Sequence, residues 1–267
     1  MFKEKMKTEA IPERVYELCL MVKDKPKSET ELKKLFEPNE LNNSSYFAPV
    51  KTAASELGLI DVKDKEIYLK VDNSVLESME SMRKYVISNI NLIEDGMFFE
   101  VTQSYLDLDN KVFEFNSLTD GDLTSLLKDS TKRPIDADCM RAWRFWSSYL
   151  GLGLLAKDSG NNSPQMNFMP NMYRFLQTSI DLADFEKDIV YPINEFMDKL
   201  TPYCKIAMKD AISTKRLNMA MSFGLRQMHD AGDIEMIKQL DSSNNWFLYV
   251  AKYHKIPSEV SHVIVRR

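Results

Sequence analysis

Apolar residues recur at helical spacing through most of the chain, and three of these stretches end alike. Each closes at a glycine and is followed by a short hairpin-like segment. Residues 50–68 read VKTAASELGLIDVKDKEIY, residues 143–168 read WRFWSSYLGLGLLAKDSGNNSPQMNF, and residues 217–249 read LNMAMSFGLRQMHDAGDIEMIKQLDSSNNWFLY. Glycine accepts the left-handed conformation that ends a helix. The period then shifts from 3.6 to 2, as a change from helix to strand requires.

More helices precede each of these segments. Pro12 suits a first helical turn, where its missing N–H has no partner to lose. Val15, Leu18, Cys19 and Val22 follow at helical spacing. Ser28 with Glu31 forms a capping box for a second helix. Ser45 is the expected cap of a third, with Pro49 in its first turn, and Gly58 ends it. One connecting helix is expected over 74–92. In the middle stretch Asp120 or Thr119 starts one helix and Asp136 the next. Cys139, Trp143, Trp146 and Leu150 make one apolar stripe of that helix, while Arg141, Arg144 and Ser148 lie opposite. Further on, residues 182–200 predict a long amphipathic helix kinked at Pro192. A short helix over 206–212 and a helix along 217–228 follow, the latter stopped at Gly232. Strands are expected at 234–240 and 246–250, with 258–265 added as a last strand.

This pattern is the sequence form of the third helix and wing of a winged helix-turn-helix. The fold class is therefore mostly α with short β-hairpin wings, arranged as tandem winged helix-turn-helix units. The expected domains are a first winged helix over 1–72, a connecting helix over 73–96, a second winged helix over 97–178, and a helical C-terminal unit with a third winged helix over 179–267. Ser28 and Gly121, where second helices start, lie 93 positions apart, and so do the stops Gly58 and Gly151. A shared offset across two landmarks marks the first two units as one repeated fold.

Composition narrows the chemistry. Eight glycines among 267 residues leave no Gly-rich phosphate loop. The three cysteines and three histidines are scattered without metal-ligand spacing. His229-Asp230 and a pairing of Cys204 with His229 do not amount to a catalytic base or nucleophile. No enzyme activity, cofactor, metal or small-molecule substrate is expected. The start MFKEKMKTEA has no apolar core of a signal peptide, and no apolar run reaches the ~20 residues of a membrane span, so a cytoplasmic location is expected.

Net charge is −5, which is unlike a typical nucleic-acid binder. Its distribution is uneven. Residues 73–130 carry four basic and eleven acidic side chains, residues 131–157 five basic and two acidic, and residues 209–229 four basic and one acidic. The candidate nucleic-acid-binding residues are accordingly Lys132, Arg133, Arg141, Arg144 and Lys157 in the second unit, and Lys215, Arg216 and Arg226 in the third. Recognition helices present such side chains to bases and phosphates. The third helix of the first unit is nearly neutral, with Asn42, Asn43 and Lys51 as its possible DNA contacts. Its wing offers Lys63 and Lys65.

The segment ELGLI with its hairpin over 56–68 resembles prokaryotic winged-helix proteins. The ending GLRQMHDAGDIEMIKQLDSSNNWFLYV resembles the last unit of a multi-winged-helix family encoded in bacterial deazaguanine DNA-modification and phage-defence islands. Members of that family act as accessory proteins beside helicases and nucleases. The resemblance covers most of the chain, implies a DNA-processing or antiviral defence setting, and carries no catalytic residue over. Two functions remain open from sequence. One is a non-catalytic DNA-binding or accessory subunit of such a system, with double-stranded DNA and protein subunits as partners. The other is a protein–protein adaptor that does not touch DNA.

Overall fold

A computed structural model describes residues 2–38, 45–157, 166–251, 254–256 and 258–267. The expected turn at 159–163 and the pair Asn42 and Asn43 lie outside the described residues, as does the side chain of Lys157. About 52% of the chain is helical, and the strands form small antiparallel sheets. Contacts divide the chain into two units. One comprises Met1–Val101 with Leu118–Tyr149, the other Thr102–Ser117 with Leu150–Arg267.

In the first unit, Pro12 opens α1, Pro12–Met21, whose Val15, Leu18 and Cys19 are buried. A two-residue strand follows, β1, Lys27–Ser28. The Ser28 hydroxyl accepts the Glu31 N–H and caps α2, Glu29–Phe36. Then comes α3, Phe47–Glu56. Its start is not capped by Ser45. Glu37 supplies the acceptor instead, with Oε1 taking the Phe47 N–H at 2.9 Å. A carboxylate at a helix N-terminus also opposes the helix dipole favourably.

Gly58 adopts φ +69° and releases the chain into β2, Ile60–Lys63, and β3, Glu66–Leu69. Asp64 and Lys65 between them have φ of 51° and 64°. Two consecutive positive φ values give the turn whose twist matches a two-residue hairpin. β3 is the middle strand of the order β1-β3-β2. The chain order is thus helix, strand, helix, helix, strand, strand, with the first strand paired to the last.

The single helix expected over 74–92 is interrupted. The structure has α4, Met79–Ser88, between one-turn 3₁₀ segments at Asn73–Leu76 and Ile90–Ile93. Asp72 and Ser78 each accept a backbone N–H and so start separate elements. Next come α5, Met97–Leu106, α6, Gly121–Thr131, and α7, Ala137–Leu150. Asp120 and Asp136 cap the last two as expected. The stripe Cys139, Trp143 and Trp146 is fully buried. Trp146 Nε1–H donates to the Ala10 carbonyl at 2.7 Å. Its ring meets Phe2 edge-on at 4.8 Å, and Phe2 meets Phe98 at 5.3 Å. The Phe98 N–H donates to the Phe2 carbonyl and the Phe2 N–H to Glu56 Oε2.

In the second unit, β4, Gly153–Lys157, and β5, Met166–Pro170, pair as a hairpin. Gly151 before it has φ +84°, and a Cβ there would stand 3.0 Å from the Phe175 backbone nitrogen. α8, Tyr173–Leu182, follows. The long kinked helix over 182–200 does not form. Asp184 and Asp188 take left-handed φ of 50° and 64°, and Pro192 ends a strand, β6, Val190–Pro192. The ring of a proline disfavours helical backbone at the residue before it, here Tyr191. α9, Ile193–Cys204, begins immediately after. A 3₁₀ turn at Lys205–Ala207, α10, Ala211–Thr214, and α11, Met219–Asp230, complete the helices.

The last strands are β7, Ile234–Ile237, β8, Trp246–Phe247, β9, Glu259–Val260, and β10, His262–Val265. β7 does not pair with the strand at 246–247. Its partner is β10, which lies between β6 and β7, while β8 pairs with β9. The expected last strand over 258–265 is therefore split: β9 pairs with β8, and β10 is the centre of the sheet β6-β10-β7 rather than an addition to a hairpin.

Cys19, Cys139 and Cys204 are free and buried. Burial pushes the Cys19 and Cys204 thiols up to about 12. Among the described residues, no helix is long and apolar enough to cross a membrane.

Trp146→Ala should lower unfolding stability by about 3–5 kcal/mol, the usual cost of deleting a buried large aromatic, measured by chemical denaturation. Asp136 accepts the Cys139 N–H and pairs with Lys5 at 2.6 Å, which holds its carboxyl down at about 2. The folded state thus favours the ionised form, and that stabilisation is lost as pH falls from about 4 towards 2. Asp136→Asn, which keeps a capping oxygen, should flatten the stability-versus-pH curve in that window. An unchanged slope would contradict this.

Candidate functional site

The eight candidate basic residues come from different kinds of positions. In the first unit, Lys132 is exposed and ends α6 with a left-handed φ of 58°. Arg133 next to it grips Glu100 with two N–H groups, at 2.7 and 2.8 Å, and donates to the Asp95 carbonyl at 3.0 Å. The Glu100 carboxylate holds the Arg133 guanidinium above its ordinary value. Arg141 is exposed and pairs with Asp138, one turn back. Arg144 is half-buried, with its guanidinium carbon 4.9 Å from the centre of the Phe145 ring. Two of the four are thus engaged by carboxylates, and one lies on an aromatic ring.

In the second unit, Lys215 ends α10 with φ 55°, and its carbonyl accepts the Phe247 N–H. Arg216 is exposed and lies 5.0 Å above the Phe247 ring. Arg226 differs from the expectation most. Its charge and helical position predict a place on the outer surface of its helix, yet it is 2% exposed. Among the described residues its Nε and Nη1 have no hydrogen-bond partner, and burial pulls the guanidinium's pKa down. The reason lies in α11 as a whole. Met219, Ala220, Met221, Ser222, Gly224, Leu225 and Met228 are buried around it, and only Gln227 and Asp230 are exposed. At Gly224 an added Cβ would come within 2.9 Å of the Met172 and Tyr173 backbone. This helix is an internal element of its unit and cannot lie in a groove of DNA with these faces covered.

The first unit offers a different surface. α3 exposes Ala48, Thr52 and Ser55, and half-exposes Lys51, whose ammonium pairs with Glu29 at 2.8 Å. The hairpin tip exposes Lys63, Asp64 and Lys65. Between α2 and the start of α3 lies a cleft of about 520 Å³. Glu37 borders it with a side chain only 4% exposed. Sequence reasoning passed over Glu37. The one signal in the sequence is Lys33 four residues earlier, which pairs with it at 3.8 Å.

A smaller hollow of about 230 Å³ in the second unit is bordered by Asp107, Asp109, Asp210 and Arg216. Asp109 Oδ1 accepts the Met219 N–H at 2.7 Å and so serves the start of α11. Among the described residues, no three His, Cys, Asp or Glu side chains come together to hold a metal ion.

A buried guanidinium without partners carries a desolvation cost that an apolar side chain of similar length does not. Arg226→Met should therefore raise the denaturation midpoint and leave any DNA affinity unchanged. A loss of DNA affinity without loss of stability would return Arg226 to the role that its sequence position suggested. No known protein family, curated protein or solved structure matches this chain.

Proposed function

We propose that this protein is a non-catalytic accessory subunit of a bacterial DNA-processing, DNA-modification or phage-defence assembly, built from winged helix-turn-helix units that dock protein partners. One observation carries the fold part of this reading. The order helix, strand, helix, helix, strand, strand occurs twice, each time with the first strand paired to the last. It runs from α1 to β3 with sheet order β1-β3-β2, and from α8 to β10 with order β6-β10-β7. A winged helix is assembled in this way. The second occurrence carries extra pieces, α10 between its helices and β8 and β9 within its wing.

Protein docking is favoured over DNA reading by what the third helices present. α3 shows small neutral side chains, α11 is covered, and the exposed arginine of α7 is paired with an aspartate. The net charge of −5 adds a general repulsion from phosphate. A second reading, direct contact with duplex DNA, is favoured by one feature. Lys63 and Lys65 stand exposed at the tip of the β2–β3 wing.

Duplex binding measured by fluorescence anisotropy across a salt series separates the two. The docking reading expects no salt-dependent affinity at micromolar protein. A steep linear fall of log K with log salt would overturn it, since each neutralised phosphate contributes a slope of about −0.9. In that event Lys63→Glu with Lys65→Glu should abolish the binding, and Arg141→Glu with Arg144→Glu should not.

A further inference from the structure

The cleft between α2 and α3 has an unusual distribution of charge. Three lysines and three glutamates border it, Lys7, Lys33 and Lys51 with Glu9, Glu29 and Glu37. The count is neutral, but the exposure is not symmetrical. Glu37 is 4% exposed, while the side chain of its partner Lys33 is 63% exposed. Glu37 Oε1 takes the Phe47 N–H, and among the described residues Oε2 has no hydrogen-bond partner. A buried carboxylate oxygen without a donor is costly, and the exposed Lys33 ammonium at 3.8 Å offsets little of that cost.

The same carboxylate decides which ligand is refused. The first amides of a helix following a turn are a ready place for a phosphate. Here Glu37 already occupies that place on α3, so an anion would meet a fixed negative charge. The remaining wall of the cleft combines Thr30 and Ser45 with an apolar stretch formed by Phe47, Ala48 and Pro49.

We infer that this cleft receives an arginine side chain of a partner protein. The guanidinium displaces Lys33 and donates to Glu37 Oε2, and the aliphatic stem lies over Phe47, Ala48 and Pro49. Guanidinium suits the position better than ammonium. It is planar, weakly hydrated and able to donate several N–H groups at once. The inference rests on the docking reading of residues 12–69 and adds the chemistry of the partner.

The test uses the full chain labelled with ¹⁵N and titrated with N-acetyl-arginine methylamide, N-acetyl-norleucine methylamide or inorganic phosphate. The arginine probe should shift the amides of Lys33, Glu37, Phe47 and Lys51 saturably in the millimolar range, and the other two should not. Glu37→Gln should weaken the arginine probe about tenfold, the factor expected for one charge-assisted hydrogen bond. Lys33→Met leaves Glu37 in place and removes its competitor. It should tighten the probe about two- to threefold, and it keeps the test open if Glu37→Gln does not fold. A flat arginine titration, an affinity indifferent to Lys33→Met, or a Phe47 shift with phosphate would each overturn the inference. The two readings fail separately. An empty cleft without salt-dependent duplex binding removes only the arginine site, whereas steep duplex binding beside an arginine-binding cleft removes only the docking function.

Discussion

The first unit depends on the burial of Trp146. Its indole N–H has to find an acceptor once it leaves water, and the Ala10 carbonyl provides one at 2.7 Å. That bond joins α7 to a segment 136 positions earlier. Phe2 and Phe98 complete the cluster edge-to-face, so three stretches of chain, the N-terminal segment, α5 and α7, converge on one aromatic centre. The N-terminal residues act as an extra layer of core in this arrangement: Phe2, Met6 and Ala10 are each 1% exposed or less. Once α7 is fixed in this way, its polar face is fixed as well, and with it the pairing of Arg141 with Asp138.

Much of this was legible in the sequence, and the reason is local. Gly58, Gly151 and Gly232 stop helices with φ of 69°, 84° and 80°, a conformation that few residues but glycine adopt readily. Asp120, Asp136 and Ser28 cap the helices they precede. The Cys139–Trp143–Trp146 stripe is buried as its spacing predicts. What escaped was set by tertiary pairing. β1 and β6 have two and three residues, too few to show any alternation, and they are strands only because β3 and β10 lie beside them. The apolar residues at 182, 185, 189, 193, 196 and 200 fit a helical period, yet three left-handed or proline-restricted positions break the backbone between them. Arg226 misled for a related reason: charge type predicts exposure only where a helix has an outer face, and α11 has almost none.

Several charged side chains pair within the protein. Arg133 holds Glu100, Arg266 bridges Asp188 and Glu235, Lys238 meets Glu259, and Lys5 meets Asp136. Each pair is at least partly exposed and worth little by itself. Together they engage part of the basic surface, while Lys63, Lys65 and Lys132 stand exposed. Of the candidate binding residues, Arg133 and Arg141 follow this pattern, whereas Glu37 carries a buried, half-satisfied carboxylate.

The three buried thiols have a practical consequence. Cys19 and Cys139 lie in one unit and Cys204 in the other, and none carries appreciable thiolate at neutral pH while folded. Alkylation at each sulfur therefore waits for the opening of its own surroundings. The chain carries a built-in clock for each half, able to time the two openings independently without any introduced label.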